Sequence, residues 1–141
     1  MRRLVEVGER FEKRVRLDPE SVSAFATAAQ DLSPLHHDAD FAARSRFKQL
    51  IASGTQTISL LYGLAATHFC DRGVMLGLEF SQRYLKAVGA NEEILLRWEV
   101  TGVTEKSSLA GWLVRLHGEI VNEQGELALS SDGLVLITAN I

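Results

Sequence analysis

The chain has 141 residues, 46% of them hydrophobic and 23% charged, with a formal net charge of −3. This balance fits one soluble globular domain over residues 1–141 and excludes a general nucleic-acid binder and a polybasic membrane patch. The single cysteine, Cys70, cannot form an internal disulfide, so a reducing, cytoplasmic setting is expected.

At the N-terminus, Met1-Arg2-Arg3 is basic, but the polar residues alternating behind it give no apolar stretch and hence no signal peptide. From Val5 to Leu17, Val5, Val7, Phe11, Val15 and Leu17 alternate with charged residues, which predicts one or two strands with a bend near Gly8. Asp18-Pro19 reads as an N-cap followed by proline at the first helical position. Val22, Phe25, Ala26 and Ala29 have helical spacing, so a short amphipathic helix is expected to run to about Asp31, ahead of Pro34.

Residues Ala39 to Phe47 predict one or two further helical turns, with Phe41 and Phe47 as anchors. Ser53 is a plausible N-cap, and Gln56 three residues later completes a capping-box pattern. The helix beyond carries Ile58, Leu60, Leu61, Leu64, Ala65, Ala66 and Phe69, apolar nearly all round, as in a helix surrounded by protein. Its apolar-rich part, Ile58 to Phe69, is too short to span a bilayer.

After Asp71-Arg72-Gly73 the period becomes two. Val74, Leu76, Leu78 and Phe80 form a first alternating set, and Ile94, Leu96, Trp98 and Val100 a second. Trp112, Val114, Leu116 and Ile120 form a third, and Leu127 to Thr138 a fourth, interrupted at Ser131-Asp132-Gly133 by a bulge or a turn. Hairpin-length separators make this an antiparallel sheet with one face open to water, and the apolar helix is its natural cover.

Chemistry concentrates at Asp31 to Asp38, reading DLSPLHHD. A carboxylate ends a helix, a proline breaks it, and an imidazole follows in an extended segment, so both groups flank one fixed turn. Asp31 and His36 also admit a plain reading as a helix terminus and a turn residue. A metal site is the rival, since His36, His37, Asp38 and Asp40 are competent ligands. Neighbours in an extended segment point to opposite sides, however, and no second His/Cys cluster completes a site, so no metal is expected. Farther on, Ala52-Ser53-Gly54-Thr55 opens the apolar helix, whose first N–H groups are natural donors to a developing anion. His68 and His117 read as a helix-end residue and a polar-face strand residue, and Cys70 as a structural thiol.

The stretch Phe25-Ala26-Thr27-Ala28-Ala29-Gln30-Asp31-Leu32-Ser33-Pro34-Leu35-His36 resembles the hydratase motif of the MaoC-like proteins, the (R)-specific enoyl-CoA hydratases. That motif usually reads Phe-Ala, then Gly-Asp-x-Asn-Pro-(Leu/Ile/Val)-His-x-Asp; Asp31, Pro34, Leu35, His36 and Asp38 match it. Phe41-Ala42, Arg46-Phe47, Ile51 to Gly54, and Phe80 to Val88 are similar to the family's later segments. Gln30 replaces the usual glycine, Ser33 the usual asparagine, and Ser53 stands where many relatives have histidine.

The resemblance implies an α+β hot-dog fold, an antiparallel sheet wrapped around a central helix, and a homodimer. It implies a tunnel for a thioester carried on coenzyme A or acyl carrier protein, with no cofactor. By the same carry-over, Asp31 and His36 activate the water that hydrates a trans-2-enoyl thioester to the (R)-3-hydroxyacyl product. The N–H of Gly54 holds the thioester oxygen, and Ser33, Ser53 and Thr55 contact substrate. A hot-dog thioesterase and a non-catalytic acyl-thioester-binding module are the alternatives.

Overall fold

A computed structural model of the chain describes residues 5–139, so the reading made at Met1-Arg2-Arg3 lies outside the described residues. Strand β1 spans Arg10–Arg16, entered from a turn in which Gly8 has φ +93°. Helix α1, Pro19–Ala28, starts on an Asp18 cap that accepts the Ser21 N–H at 2.8 Å. A 3-10 turn follows at Pro34–His36, then α2 at Ala39–Arg44 and α3 at Gly54–Phe69. Four strands complete the chain: β2 Val74–Tyr84, β3 Glu93–Lys106, β4 Gly111–Val121 and β5 Leu127–Thr138. They form one antiparallel five-stranded sheet in the order β1-β3-β4-β5-β2, so β1 and β2 are its edges.

The inner face of the sheet carries Ile94, Leu96, Trp98, Val100, Val114, Leu116, Ile120 and Leu129, all buried, against which α3 lays Ile58, Leu61, Ala65 and Phe69. The Trp98 indole donates to the Leu61 carbonyl at 2.7 Å, fixing the height of the helix over the sheet. Each buried side chain of this size contributes about 1.5–3 kcal/mol through removal of apolar area from water. This is the α+β hot-dog arrangement that the resemblance implies.

Four local expectations change. Helix α1 ends at Ala28 rather than near Asp31, because Gln30 turns into the left-handed region (φ +61°). The helix α3 is not surrounded: Ser59, Gly63, Ala66 and Thr67 are exposed on its side away from the sheet. In β2 a register shift between Gly77 and Glu79 reverses the alternation, so Met75 and Phe80 face inward while Leu76 and Leu78 are exposed. Strand β5 runs unbroken through Ser131-Asp132-Gly133. Gly133 is there because the Phe80 ring lies on it: a Cβ would sit 2.4 Å from a ring carbon.

At the C-terminal end of α3, polar groups close on one another. Arg72 forks onto Glu9 at 2.9 and 2.6 Å, and His68 Nε2 reaches Glu9 Oε2 at 2.6 Å. The His68 ring stacks on Phe11 at 3.6 Å with 8° between planes. The hydrogen-bonded Arg72 guanidinium, outweighing the cost of burial and helped by His68, holds the Glu9 carboxyl down at about 2.

Candidate functional site

The turn after α1 places Asp31. The Gln30 N–H donates to the Thr27 carbonyl at 3.0 Å and the Asp31 N–H to the Ala26 carbonyl at 2.8 Å, the paired closure of a Schellman C-cap. Gln30 is then the residue that must take positive φ, which explains why glycine favours this place. Asp31 Oδ1 accepts the Ser33 N–H at 3.1 Å, an Asx turn that leaves Oδ2 to look elsewhere.

It looks at His36. Oδ2 stands 3.4 Å from His36 Nε2, with the Asp31 side chain 36% exposed and the His36 side chain 10%. His36 sits in the 3-10 turn rather than in an extended segment, and Pro34 opens that turn instead of ending α1. Nδ1 of His36 lies 2.7 Å from the Ile51 carbonyl, an acceptor only, so Nδ1 carries the hydrogen. In the neutral ring Nε2 is therefore a lone pair directed at Asp31. Two acceptors then face each other, an arrangement completed by a donor with two hydrogens.

The same residue, Ile51, brings in the helix. Its N–H donates to the Leu35 carbonyl at 3.1 Å, so it is tied to the Pro34–His36 turn on both sides, three residues before α3 begins. Ser53 caps α3, its Oγ accepting from Gln56 N and from Thr55 Oγ1, both at 3.2 Å. The capping box is only half made, because the Gln56 side-chain oxygen is buried without a partner. The N–H groups of Gly54 and Thr55 find no acceptor among the described residues. They are donors at the positive end of a helix dipole.

These parts meet in a cleft of about 620 Å³. Asp31, His36, Ser53, Gly54 and Thr55 line it, whereas Ser33 does not. Ala52, Val88, Ile120, Ala128 and Leu129 give it an apolar wall, and Arg46 and Lys86 add cations. Tyr84 covers Gly54 so closely that a Cβ there would meet a ring carbon at 2.6 Å. Arg46, Tyr84 and Lys86 lie in segments that resemble the family's, but the sequence does not mark them as lining residues, since nothing local announces that these segments pass the start of α3.

The other candidate ligands go to separate structural tasks. Asp38 caps α2 through the Phe41 N–H at 3.0 Å, and His37 bonds Ser23 and the Asp31 carbonyl, each at 2.8 Å. Phe41 is exposed, and buried Ala42 anchors α2 instead. His117 lies on the outer face, where hydrogen bonding to the Asp132 and then the Glu119 carboxylate pushes its basicity up despite partial burial. A hollow beside it holds charges that pair among themselves, Arg10 with Glu99 at 3.2 Å and Arg97 with Glu119 at 2.7 Å. Cys70 is exposed at the end of α3. Among the described residues no helix is long and apolar enough to cross a membrane.

Residues 4–113 match the family described as MaoC like domain. The chain is 31% identical over 132 residues to an (R)-specific enoyl-CoA hydratase of Aeromonas caviae, covering 93% of this chain and 94% of that one. The solved (R)-hydratase of A. caviae, described as involved in PHA biosynthesis, superposes with a TM-score of 0.85 at 28% identity, over 94% and 97% of the two chains. A MaoC-like dehydratase of Rhodospirillum rubrum superposes at 0.78 with 25% identity, over 95% and 93%. An R-hydratase of Pseudomonas aeruginosa, at 24% identity over 95% and 83%, shares the fold with a TM-score of 0.85.

Proposed function

The chain belongs to the MaoC-like family and is a hydro-lyase, and from that premise we propose that it hydrates trans-2-enoyl thioesters reversibly to (R)-3-hydroxyacyl thioesters. The observation that carries this reading is the facing pair of acceptors, Asp31 Oδ2 and His36 Nε2, beside two unclaimed N–H groups in one cleft. A water held there gives one hydrogen to each acceptor, which turns an oxygen lone pair towards the β carbon of the substrate. As that C–O bond forms, one of the pair takes a proton from the water and returns it to the α carbon on the same face. The electrons of the double bond pass through the thioester oxygen, which the Gly54 N–H stabilises as it becomes enolate-like. The apolar wall takes the acyl chain, and Ser53 and Thr55 shape the rim next to the thioester.

The test is hydration of a short trans-2-enoyl-CoA followed at the double bond, with free thiol measured in the same sample. Hydration to the (R) product without thiol release is expected; thiol release alone would make the protein a thioesterase, and binding without turnover a non-catalytic module.

The two sheet edges support a homodimer. β1 presents Arg10, Glu12, Arg14 and Arg16, charges that discourage pairing, whereas β2 exposes Leu76, Leu78 and Tyr84 along an 11-residue edge. Two copies meeting at β2 would bury that apolar edge under two-fold symmetry. Light scattering should give twice the chain mass, and a monomer at micromolar concentration would contradict it.

A further inference from the structure

We propose that His37 is a positioning residue for the hydration reaction, clamping the Asp31 main chain to helix α1 so that Oδ2 stays aimed at His36. This rests on the reading of Asp31 and His36 as the proton-transfer pair.

The corner that carries Asp31 has little else to hold it. Leu32 beside it is 77% exposed, so no apolar contact anchors the outside of the turn. Gln30 before it occupies the left-handed region, where a side chain resists the geometry. The Asp31 N–H is bonded to Ala26 and Oδ1 to the Ser33 N–H, both local closures that would move with the turn. Among the described residues, only the Asp31 carbonyl is hydrogen-bonded to a side chain from outside that closure, accepting from His37 Nε2 at 2.8 Å. A carbonyl accepts only, so Nε2 carries the hydrogen and Nδ1 of the neutral ring is a lone pair. Ser23 Oγ, one α1 residue 2.8 Å from Nδ1, donates its hydrogen there and so selects the tautomer that the clamp needs. Ser23, His37 and Asp31 thus form a chain of polar contacts running from the middle of α1 to the main-chain carbonyl of the residue that bears the carboxylate. His36 and His37 divide the work: one ring faces Asp31 Oδ2, while the other holds the backbone that carries it, 6.5 Å away between centroids.

The experiment measures kcat and KM for a short trans-2-enoyl-CoA, with melting temperatures, in His37→Leu, His37→Gln, Ser23→Ala and the Ser23→Ala/His37→Leu double variant. Asp31→Asn is run beside them. Small displacements of a catalytic group are costly, so His37→Leu should lower kcat at least about tenfold while KM stays within about twofold. Glutamine can still donate to the Asp31 carbonyl and should recover most of the loss, which a merely structural role of the ring would not predict. Ser23 acts through His37, so the double variant should match His37→Leu rather than multiply the two losses. Wild-type kcat in His37→Leu, a His37→Gln variant as slow as His37→Leu, or multiplied losses would each overturn the clamp. If His37→Leu does not fold, the milder variants decide: His37→Gln active with Ser23→Ala slowed supports the clamp, and Ser23→Ala at wild-type kcat overturns it. Wild-type turnover by Asp31→Asn would instead remove the proton-transfer reading on which the clamp rests.

Discussion

The two ends of α3 are built on opposite rules. At its C-terminal end Glu9, His68 and Arg72 are paired at 2.6–2.9 Å, and Phe11 stacks over the imidazole. At its N-terminal end two N–H groups have no acceptor among the described residues, and the Asp31 carboxylate faces His36 Nε2 at 3.4 Å. The closed end satisfies its polar groups and contributes stability. The open end leaves two helix N–H groups without partners among the described residues, as the proposed binding of a thioester oxygen requires. The difference separates function from fold along one helix, and each end can be disturbed without the other.

The largest effect should come from the open end. Asp31→Asn and His36→Ala should each slow hydration by about 10²–10⁴-fold, the usual worth of positioned proton transfer. If both act on one water, the double variant should resemble the slower single one. Folded single variants with near wild-type rates would remove the pair from the mechanism. Gly54→Val comes next. Its side chain would strike the Tyr84 ring, displacing it or the helix start, and the loss of an aligned donor should cost about 10²–10³-fold in kcat. Full turnover in a folded Gly54→Val protein would discard the anion-hole role.

The closed end should respond in stability alone. Glu9→Gln should lower stability by about 1–2 kcal/mol in thermal melts, allowing for solvent screening of the pair, while hydration at neutral pH is unchanged. Because the Glu9 carboxyl is held near 2 against an ordinary 4.5, its contribution is present above 4.5 and lost as pH falls towards 2. The two melting curves should therefore converge in acid; a constant gap down to pH 2 would mean that Glu9 acts through packing. The smallest effect is Gln30→Gly, which removes a side chain from the left-handed corner and should stabilise by about 0.5–1 kcal/mol, less the added freedom of the unfolded chain. A lower melting temperature would show that the Gln30 side chain does more than fill a turn.

What could be read from the sequence is what lies within a few residues of its cause. Asp18 and Ser53, both marked as caps by the sequence, each cap the helix that follows by accepting an N–H three residues on; Asp38 does the same for α2, though the sequence marks it only as a motif residue and a possible ligand. The alternation from Ile94 to Val100 in β3 and from Trp112 to Ile120 in β4 survived folding because the irregularities of these strand pairs fall after Val100 and after Ile120, outside the stretches that alternate. The Asp31, Pro34 and His36 spacing marked the turn that brings the carboxylate and the imidazole together, although the sequence did not say that it is a 3-10 turn. In β2 the shift falls inside the alternating set, after Gly77, and turns Leu76 and Leu78 outward; no local pattern foretells that. Contacts between distant segments were equally silent. The Ile51 carbonyl that fixes the His36 tautomer is 15 residues away, Gly133 is fitted to Phe80 across a strand pair, and Arg72 meets Glu9 across 63 residues. Caps and periodicity are properties of a short chain. Tautomer, parity and ion-pair partners depend on which distant atoms arrive, and only the assembled core decides that.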